Sequence, residues 1–123
     1  MSKLVYVAHQ VSGNIEENVK SILRICHNIH KQDTDVIPFA PYLVALQYLN
    51  DNITEERNLG IQANIEHFQR KKMDEIWLCG PKISSGMEQE IDLSLENKIP
   101  IKCYNPNLKS KLDELLKSGQ RID

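Results

Sequence analysis

After the apolar run Glu75-Ile76-Trp77-Leu78-Cys79 comes Ser84-Ser85-Gly86-Met87-Glu88-Gln89-Glu90, which packs two hydroxyls, a glycine and two carboxylates into one short stretch. Ser85 and Glu88 have the S-x-x-E spacing of a capping box, in which serine oxygen and glutamate each satisfy a free backbone N–H at a helix start. That spacing accounts for Glu88 without chemistry. Glu90 differs. At about 100° per residue it falls inside the apolar arc of the helix, between Leu93 and Met87. Its carboxylate is then partly desolvated unless partners meet it, while the nearby helix N-terminus favours its ionised form. A shielded, ionised carboxylate in a cleft suits a nucleophile toward a sugar C1′. A glutamate that caps or pairs locally fits the same spacing, and the residues alone leave both readings open. Ser84, Ser85 and Gly86 just before a helix offer free N–H groups, the helix dipole and hydroxyls, which together can hold a phosphate; serines used only for capping have the same appearance.

The elements that position these residues follow from periodicity. Leu4–Ala8 is continuously apolar, as a strand buried on both faces would be. Ile15, Val19, Ile22, Leu23, Cys26 and Ile29 recur at helical spacing over residues 15–30. Asp35–Phe39 is a second strand ended by Pro38 and Pro41, and residues 42–50 hold a short helix. A helix over 54–71 has Thr54 as its expected N-cap and Leu59, Ile61, Ile65 and Phe68 as its apolar positions. Strands at Glu75–Cys79 and Pro100–Tyr104 bracket the Gly86–Asn97 helix, and a last helix over Leu108–Lys117 has Gly119 as its C-cap. This β-α alternation predicts an α/β fold: a single Rossmann-like domain over residues 1–123, with a four-stranded, mainly parallel sheet flanked by helices. Ligands of such sheets bind outside the carboxyl ends of the strands. Four loops collect there: Ala8–Gly13, Phe39–Tyr42, Gly80–Gly86 and Asn105–Pro106.

Composition narrows the function classes. The 123 residues carry a formal charge of −2, which gives no electrostatic case for a nucleic-acid polymer. No apolar run approaches the ~20 residues needed to cross a bilayer, and the opening MSKLVYVAHQ reads as a strand, so no membrane partner is expected. The three cysteines, Cys26, Cys79 and Cys103, are widely spaced and form no C-x-x-C unit, which fits reduced thiols in a cytoplasmic protein. Cys26 and His30 share a helix face beside His27, but two ligands do not complete a tetrahedral metal site. Neither G-x-G-x-x-G nor G-x-x-x-x-G-K-[ST] occurs. Arg70-Lys71-Lys72 reads as a solvated helix end, Arg57 as a surface arginine within reach of a phosphate, and His67 as exposed.

Several short motifs occur in a characteristic order: Tyr6-Val7-Ala8, then Pro38 and Pro41, then Asp74-Glu75-Ile76-Trp77-Leu78-Cys79-Gly80, then Ser84-Ser85-Gly86-Met87-Glu88-Gln89-Glu90, then Ile99-Pro100-Ile101. In these the chain resembles the nucleoside 2-deoxyribosyltransferase-like family over about residues 3–104. The resemblance implies that Glu90 matches a catalytic glutamate that attacks C1′, displaces the base and forms a glycosyl ester resolved by water or another base. It implies that Ser84 contacts a 5′-phosphate, and that a second family carboxylate falls near Glu66. Asp74 sits at the amino end of its strand and is read as structural. The first loop, Ala8-His9-Gln10-Val11-Ser12-Gly13, departs from the small residues and proline usual there, and His9 or Gln10 could reshape the pocket or donate a proton.

The resulting expectation is an N-glycosidase or glycosyltransferase acting on a nucleoside 5′-monophosphate or nucleoside. Glu90 and Glu66 are its catalytic candidates. Ala8, His9, Gln10, Gly13, Pro41, Gly80, Ser84, Ser85, Gly86 and Met87 are its substrate-binding candidates. No metal or organic cofactor is required, and a homo-oligomer is expected by analogy. The alternative is a protein that binds and sequesters a nucleotide without turning it over.

Overall fold

The computed structural model describes residues 1–118. Four short apolar segments, β1 (Lys3–Ala8), β2 (Val36–Phe39), β3 (Glu75–Leu78) and β4 (Ile101–Cys103), pair in the order β2-β1-β3-β4. Every pairing is parallel, with Lys3 opposite Val36, Ala8 opposite Leu78 and Leu78 opposite Cys103. Parallel neighbours need crossovers, and helices supply them: α1 (Ile15–Gln32), α2 (Tyr42–Tyr48), α3 (Thr54–Gln69) and α4 (Ser85–Glu96), with α5 (Lys109–Lys117) after β4. The expected α/β, Rossmann-like architecture is present, and its sheet is wholly parallel.

Alternation along β1 divides the interior in two. Val5 and Val7 point toward Ile22 and Ile29 of α1. Tyr6 and Ala8 point the other way, into a core shared with Phe68 of α3, Met87 and Ile91 of α4, and Leu112 and Leu115 of α5. Central strands covered on both faces have no polar side, which explains why Val5, Tyr6, Val7 and Ala8 are all fully buried. At the amino end of the sheet, Asp74 accepts the Leu4 N–H at 2.8 Å, the structural role expected of it.

Some local expectations change. Ile53, not Thr54, precedes the first turn of α3, and no side chain caps it; Glu55 and Glu56 in that turn complement the dipole instead. Leu59 is 57% exposed because it lies nine positions from the buried Phe68, half a helical revolution away. His67 is half-buried, its ring set edge-on against Phe39 at 5.5 Å. A 3-10 turn over Pro106–Leu108 delays the start of α5 to Lys109. Gly119 lies outside the described residues. Among the described residues, no helix is long and apolar enough to cross a membrane.

The β3–α4 loop turns at Gly80, where φ is +80° and a Cβ would lie 2.8 Å from Nε2 of His9. Gly80→Ala is therefore expected to lose about 1–3 kcal/mol of stability. Gly60→Ala, within α3 and with its nearest contact at 3.6 Å, is expected to gain up to about 1 kcal/mol from better helix propensity. Urea denaturation of the two variants beside the wild type checks the opposite signs.

Candidate functional site

Tyr6 leaves β1 on the α3–α4 side, its ring set among Phe68 at 4.9 Å, Tyr42 at 5.8 Å and Phe39 at 6.2 Å between centroids. This aromatic packing fixes where the hydroxyl emerges. It meets Oε2 of Glu90 in a close hydrogen bond and lies 3.1 Å from Oδ1 of Asn64. Nδ2 of Asn64 donates to the same Glu90 oxygen at 3.1 Å. Oε1 of Glu90 has no hydrogen-bond partner among the described residues and is not an enclosed atom. One carboxyl oxygen is thus held, and the other is left to the cleft that Glu90 lines.

Burial pushes the Glu90 carboxyl up to about 7, against the opposing pull of the Tyr6 and Asn64 hydrogen bonds. The dipole of α4 was expected to favour ionisation, but Glu90 sits a turn and a half into a helix that starts at Ser85, and the dipole acts mainly within the first turn. Burial, reinforced by the nearby Glu90 charge, also raises the Tyr6 phenol well above its ordinary value, so Tyr6 remains a donor.

The cleft has a volume of about 230 Å³. That is a little under the usual range of about 300–1,000 Å³ for small-molecule sites, and it is open to solvent. Its walls differ in character. Ala45 and Leu46 of α2, Leu49 just after it, Val11 of the first loop and Ile61 of α3 form apolar surface. Ser84, Ser85, Gly86 and Gln89 at the start of α4, with Arg57 of α3, form polar surface. Ser84 is the N-cap: its Oγ accepts the Met87 N–H at 3.2 Å, and its own N–H meets the Met87 sulfur at 3.5 Å. The expected Ser85–Glu88 capping box is therefore displaced by one residue, because the helix begins one residue earlier than its spacing implied. The first intrahelical bond runs from Glu88 N–H to Ser84 O at 2.9 Å, which leaves the Ser85 and Gly86 N–H groups as unclaimed first-turn donors. The Arg57 guanidinium forms no ion pair among the described residues.

Residues 3–104 match a family model described as Domain of unknown function (DUF7768). The chain belongs to that family. The DUF7768 match runs from β1 to just past β4, so Tyr6, Asn64 and Glu90 all lie within it. No curated protein is significantly similar to the chain. Among solved structures, a conserved protein from Enterococcus faecalis V583 is similar, with a TM-score of 0.58 and 18% identity over 95% of this chain and 76% of its own. At that identity the likeness speaks for the fold alone.

In the DUF7768 domain, the cleft brings together five of the residues expected from sequence: His9, Ser84, Ser85, Gly86 and Glu90. The others lie elsewhere. Ala8 is sealed in the sheet, and Met87 is in the core. Gly13 and Gly80 shape turns, at φ +103° and +80°. Pro41 precedes α2. Gln10 turns back on its own loop, donating to Ser12 O at 3.0 Å. Glu66 pairs with Arg70 at 2.7 Å on the outside of α3 and is not a cleft residue. Asn64, two residues earlier, occupies the place beside Glu90. His9 is not a free proton donor either. Its Nδ1 faces the Gln10 carbonyl at 2.7 Å and so donates to it, and its Nε2 is taken up by the Ser21 hydroxyl at 2.9 Å.

Other nucleophiles are disfavoured. Burial pushes the Cys79 thiol up to about 12 and raises Cys26 and Cys103 as well, so none is poised as a thiolate. Among the described residues, no group of three or more His, Cys, Asp or Glu is placed to hold a metal ion.

Proposed function

We propose that this cleft breaks or transfers the N-glycosidic bond of a nucleoside 5′-monophosphate or nucleoside, with Glu90 as the nucleophile. The observation that carries this reading is the asymmetric hold on Glu90: Oε2 tethered by Tyr6 and Asn64, Oε1 open to a cleft with one apolar wall and one polar, N–H-rich wall, where Arg57 stands with Asp51 and Glu56. Those walls fit the two ends of a nucleotide. The base lies against Ala45, Leu46 and Leu49. The phosphate meets the Ser85 and Gly86 N–H groups, the Ser84 hydroxyl and Arg57. The ordered motifs shared with the nucleoside 2-deoxyribosyltransferase-like family support the same assignment.

In the first step, Oε1 of ionised Glu90 bonds to C1′. The C1′–N electron pair leaves with the base, which takes up a proton from solvent, and the water that attacks in the second step returns one to solvent. In the second, water adds to C1′, the ester oxygen returns to Glu90 as carboxylate, and the sugar phosphate departs; a second base in place of water makes the reaction a transfer. Incubation with a panel of ribo- and deoxyribonucleoside 5′-monophosphates, followed by chromatography for free base, tests the reading. Release of base supports it, and full recovery of every intact nucleotide defeats it.

One observation favours a second reading, a protein that holds a nucleotide unchanged. Asn64, not a second carboxylate, hydrogen-bonds Glu90, and among the described residues the other cleft carboxyls, Asp51 and Glu56, make no hydrogen bond to Glu90, Glu56 being taken up by the Asn50 N–H. That reading requires intact ligand to come back after heat denaturation.

Both readings use the phosphate subsite. Arg57→Gln is expected to weaken binding of a nucleoside 5′-monophosphate about tenfold or more, the worth of a charge-assisted hydrogen bond, and to leave binding of the bare nucleoside nearly unchanged. Calorimetric titration of both ligands measures the difference. Equal losses for the two would remove Arg57 from phosphate recognition.

A further inference from the structure

Two side chains, Tyr6 and Asn64, meet the Glu90 carboxyl, and the protons among the three can be counted. The Tyr6 hydroxyl has one. The Asn64 amide has a donor end and an acceptor end. Tyr6 Oη lies 3.1 Å from Asn64 Oδ1 and hydrogen-bonds Glu90 Oε2, which in turn receives Asn64 Nδ2–H at 3.1 Å. Three contacts close a ring, so three protons are needed to fill it. Tyr6 and Asn64 supply two.

With Glu90 protonated the ring is complete: Glu90 donates to Tyr6, Tyr6 donates to Asn64 Oδ1, and Asn64 donates back to Glu90. With Glu90 ionised, Tyr6 and Asn64 both donate to the carboxylate. Tyr6 Oη and Asn64 Oδ1 then face each other with no proton between them. Turning the amide over does not help, because Oδ1 would then face the bare carboxylate. Either orientation closes the ring only when Glu90 holds a proton.

We propose that Asn64 is a positioning residue for Glu90: its side-chain amide completes a closed hydrogen-bond ring while Glu90 is protonated and loses one partner when Glu90 ionises. Asn64 thereby registers the proton count of the site. The functional weight of this rests on Glu90 being the reacting group, but the coupling itself is measured without turnover.

The other polar groups around Glu90 are engaged elsewhere or stand apart. From α2, the Tyr42 hydroxyl donates to Val7 O. From the first loop, His9 is held by Gln10 and Ser21. From the α2–α3 turn and α3, Glu56 accepts the Asn50 N–H at 2.8 Å, while Asp51 and Arg57 line the cleft without a hydrogen bond to Glu90. His67, also on α3, packs on Phe39. On α4 itself, Ser94 donates to the Glu90 backbone carbonyl at 2.8 Å and leaves the carboxyl alone. Among the described residues, the hydrogen bonds to the Glu90 carboxyl therefore come from Tyr6 and Asn64 alone, and they act against the burial that raises it.

A pH titration by NMR of the full chain, following the Asn64 side-chain amide and the Glu90 carboxyl carbon, tests the coupling. The expected result is one shared midpoint for both signals, and loss of the Asn64 transition in Glu90→Gln. Asn64→Leu identifies the Asn64 signals independently should Glu90→Gln fail to fold. An Asn64 signal that stays flat while Glu90 titrates overturns the proposal. Absence of base release in a separate assay would defeat the catalytic reading and leave this coupling standing.

Discussion

Glu90→Gln is expected to lower base release from a nucleoside 5′-monophosphate by about 10⁴-fold or more, the scale seen when a covalent nucleophile is removed, with little change in affinity for the intact nucleotide. Glutamine keeps the size of glutamate and can still contact Tyr6 and Asn64, but its amide cannot form the glycosyl ester. In the proposed reaction, attack needs the ionised carboxyl. Because burial raises that carboxyl to about 7, the rate should climb with pH through about 7 and level off above it. The same shift has a sign for stability. The folded chain holds the Glu90 proton more tightly than an unfolded chain, where a glutamate titrates near about 4.3. Its contribution is complete below that value and is lost as pH rises through about 7. Wild type should therefore lose about 1–3 kcal/mol relative to Glu90→Gln between pH 5 and pH 8, the lower part of that range being favoured by the open side of Glu90. Urea midpoints for the pair that stay parallel across this interval would show that Glu90 carries no such burden.

Glu75 shows why the raised carboxyl at Glu90 points to function. Both side chains are withdrawn from water. At Glu75 burial also pushes upward, yet Trp77 Nε1 at 2.8 Å, Lys102 Nζ at 3.0 Å and Lys3 Nζ at 3.1 Å outweigh it and hold the carboxyl below its usual range. Glu75 is a charge the fold has fully partnered, at the amino end of the sheet. Glu90 receives two neutral donors on one oxygen and no cation. A carboxyl left this uncompensated beside a cleft costs stability, and the proposed role as a nucleophile would account for its presence.

The architecture was legible because β1, β2 and β3 are mostly apolar runs and α1 and α5 show a clear helical period; the order of elements then left little choice of topology. Glu90 was legible for the same reason, as a carboxylate inside an apolar arc. What escaped were residues whose roles depend on tertiary contact. Asn64 sits in a helix with no sharp apolar face and gives no local signal; it becomes a partner only because α3 packs against α4 next to Tyr6. The Ala45, Leu46 and Leu49 wall belongs to a seven-residue helix and the residue that ends it, too short a stretch to show by its period which face it buries. Glu66 carried the expected charge at nearly the expected place, but two positions along a helix turn a side chain through about 200°, enough to send it to Arg70 and bring Asn64 to the cleft.

Phe68→Ala is expected to cost about 3–5 kcal/mol, a large part of the ~5–15 kcal/mol that holds a typical domain together. Phe68 is the one fully buried side chain of α3, and its ring is the nearest aromatic neighbour of Tyr6. Removing it leaves a cavity beneath the residue that tethers Glu90, so stability and site geometry should fail together. Phe68→Leu separates the two effects: it retains most of the apolar volume and should cost closer to about 1–2 kcal/mol. If the aromatic packing fixes the Tyr6 hydroxyl, the leucine variant will fold yet shift the Glu90 midpoint, because a less constrained Tyr6 donates less well to the carboxylate. A less effective donor stabilises the ionised form less, so the midpoint should move up. Urea denaturation gives the first quantity and the NMR titration the second. An unchanged midpoint in a folded Phe68→Leu would mean that Phe39 and Tyr42 suffice to hold Tyr6, and that Phe68 serves the core alone.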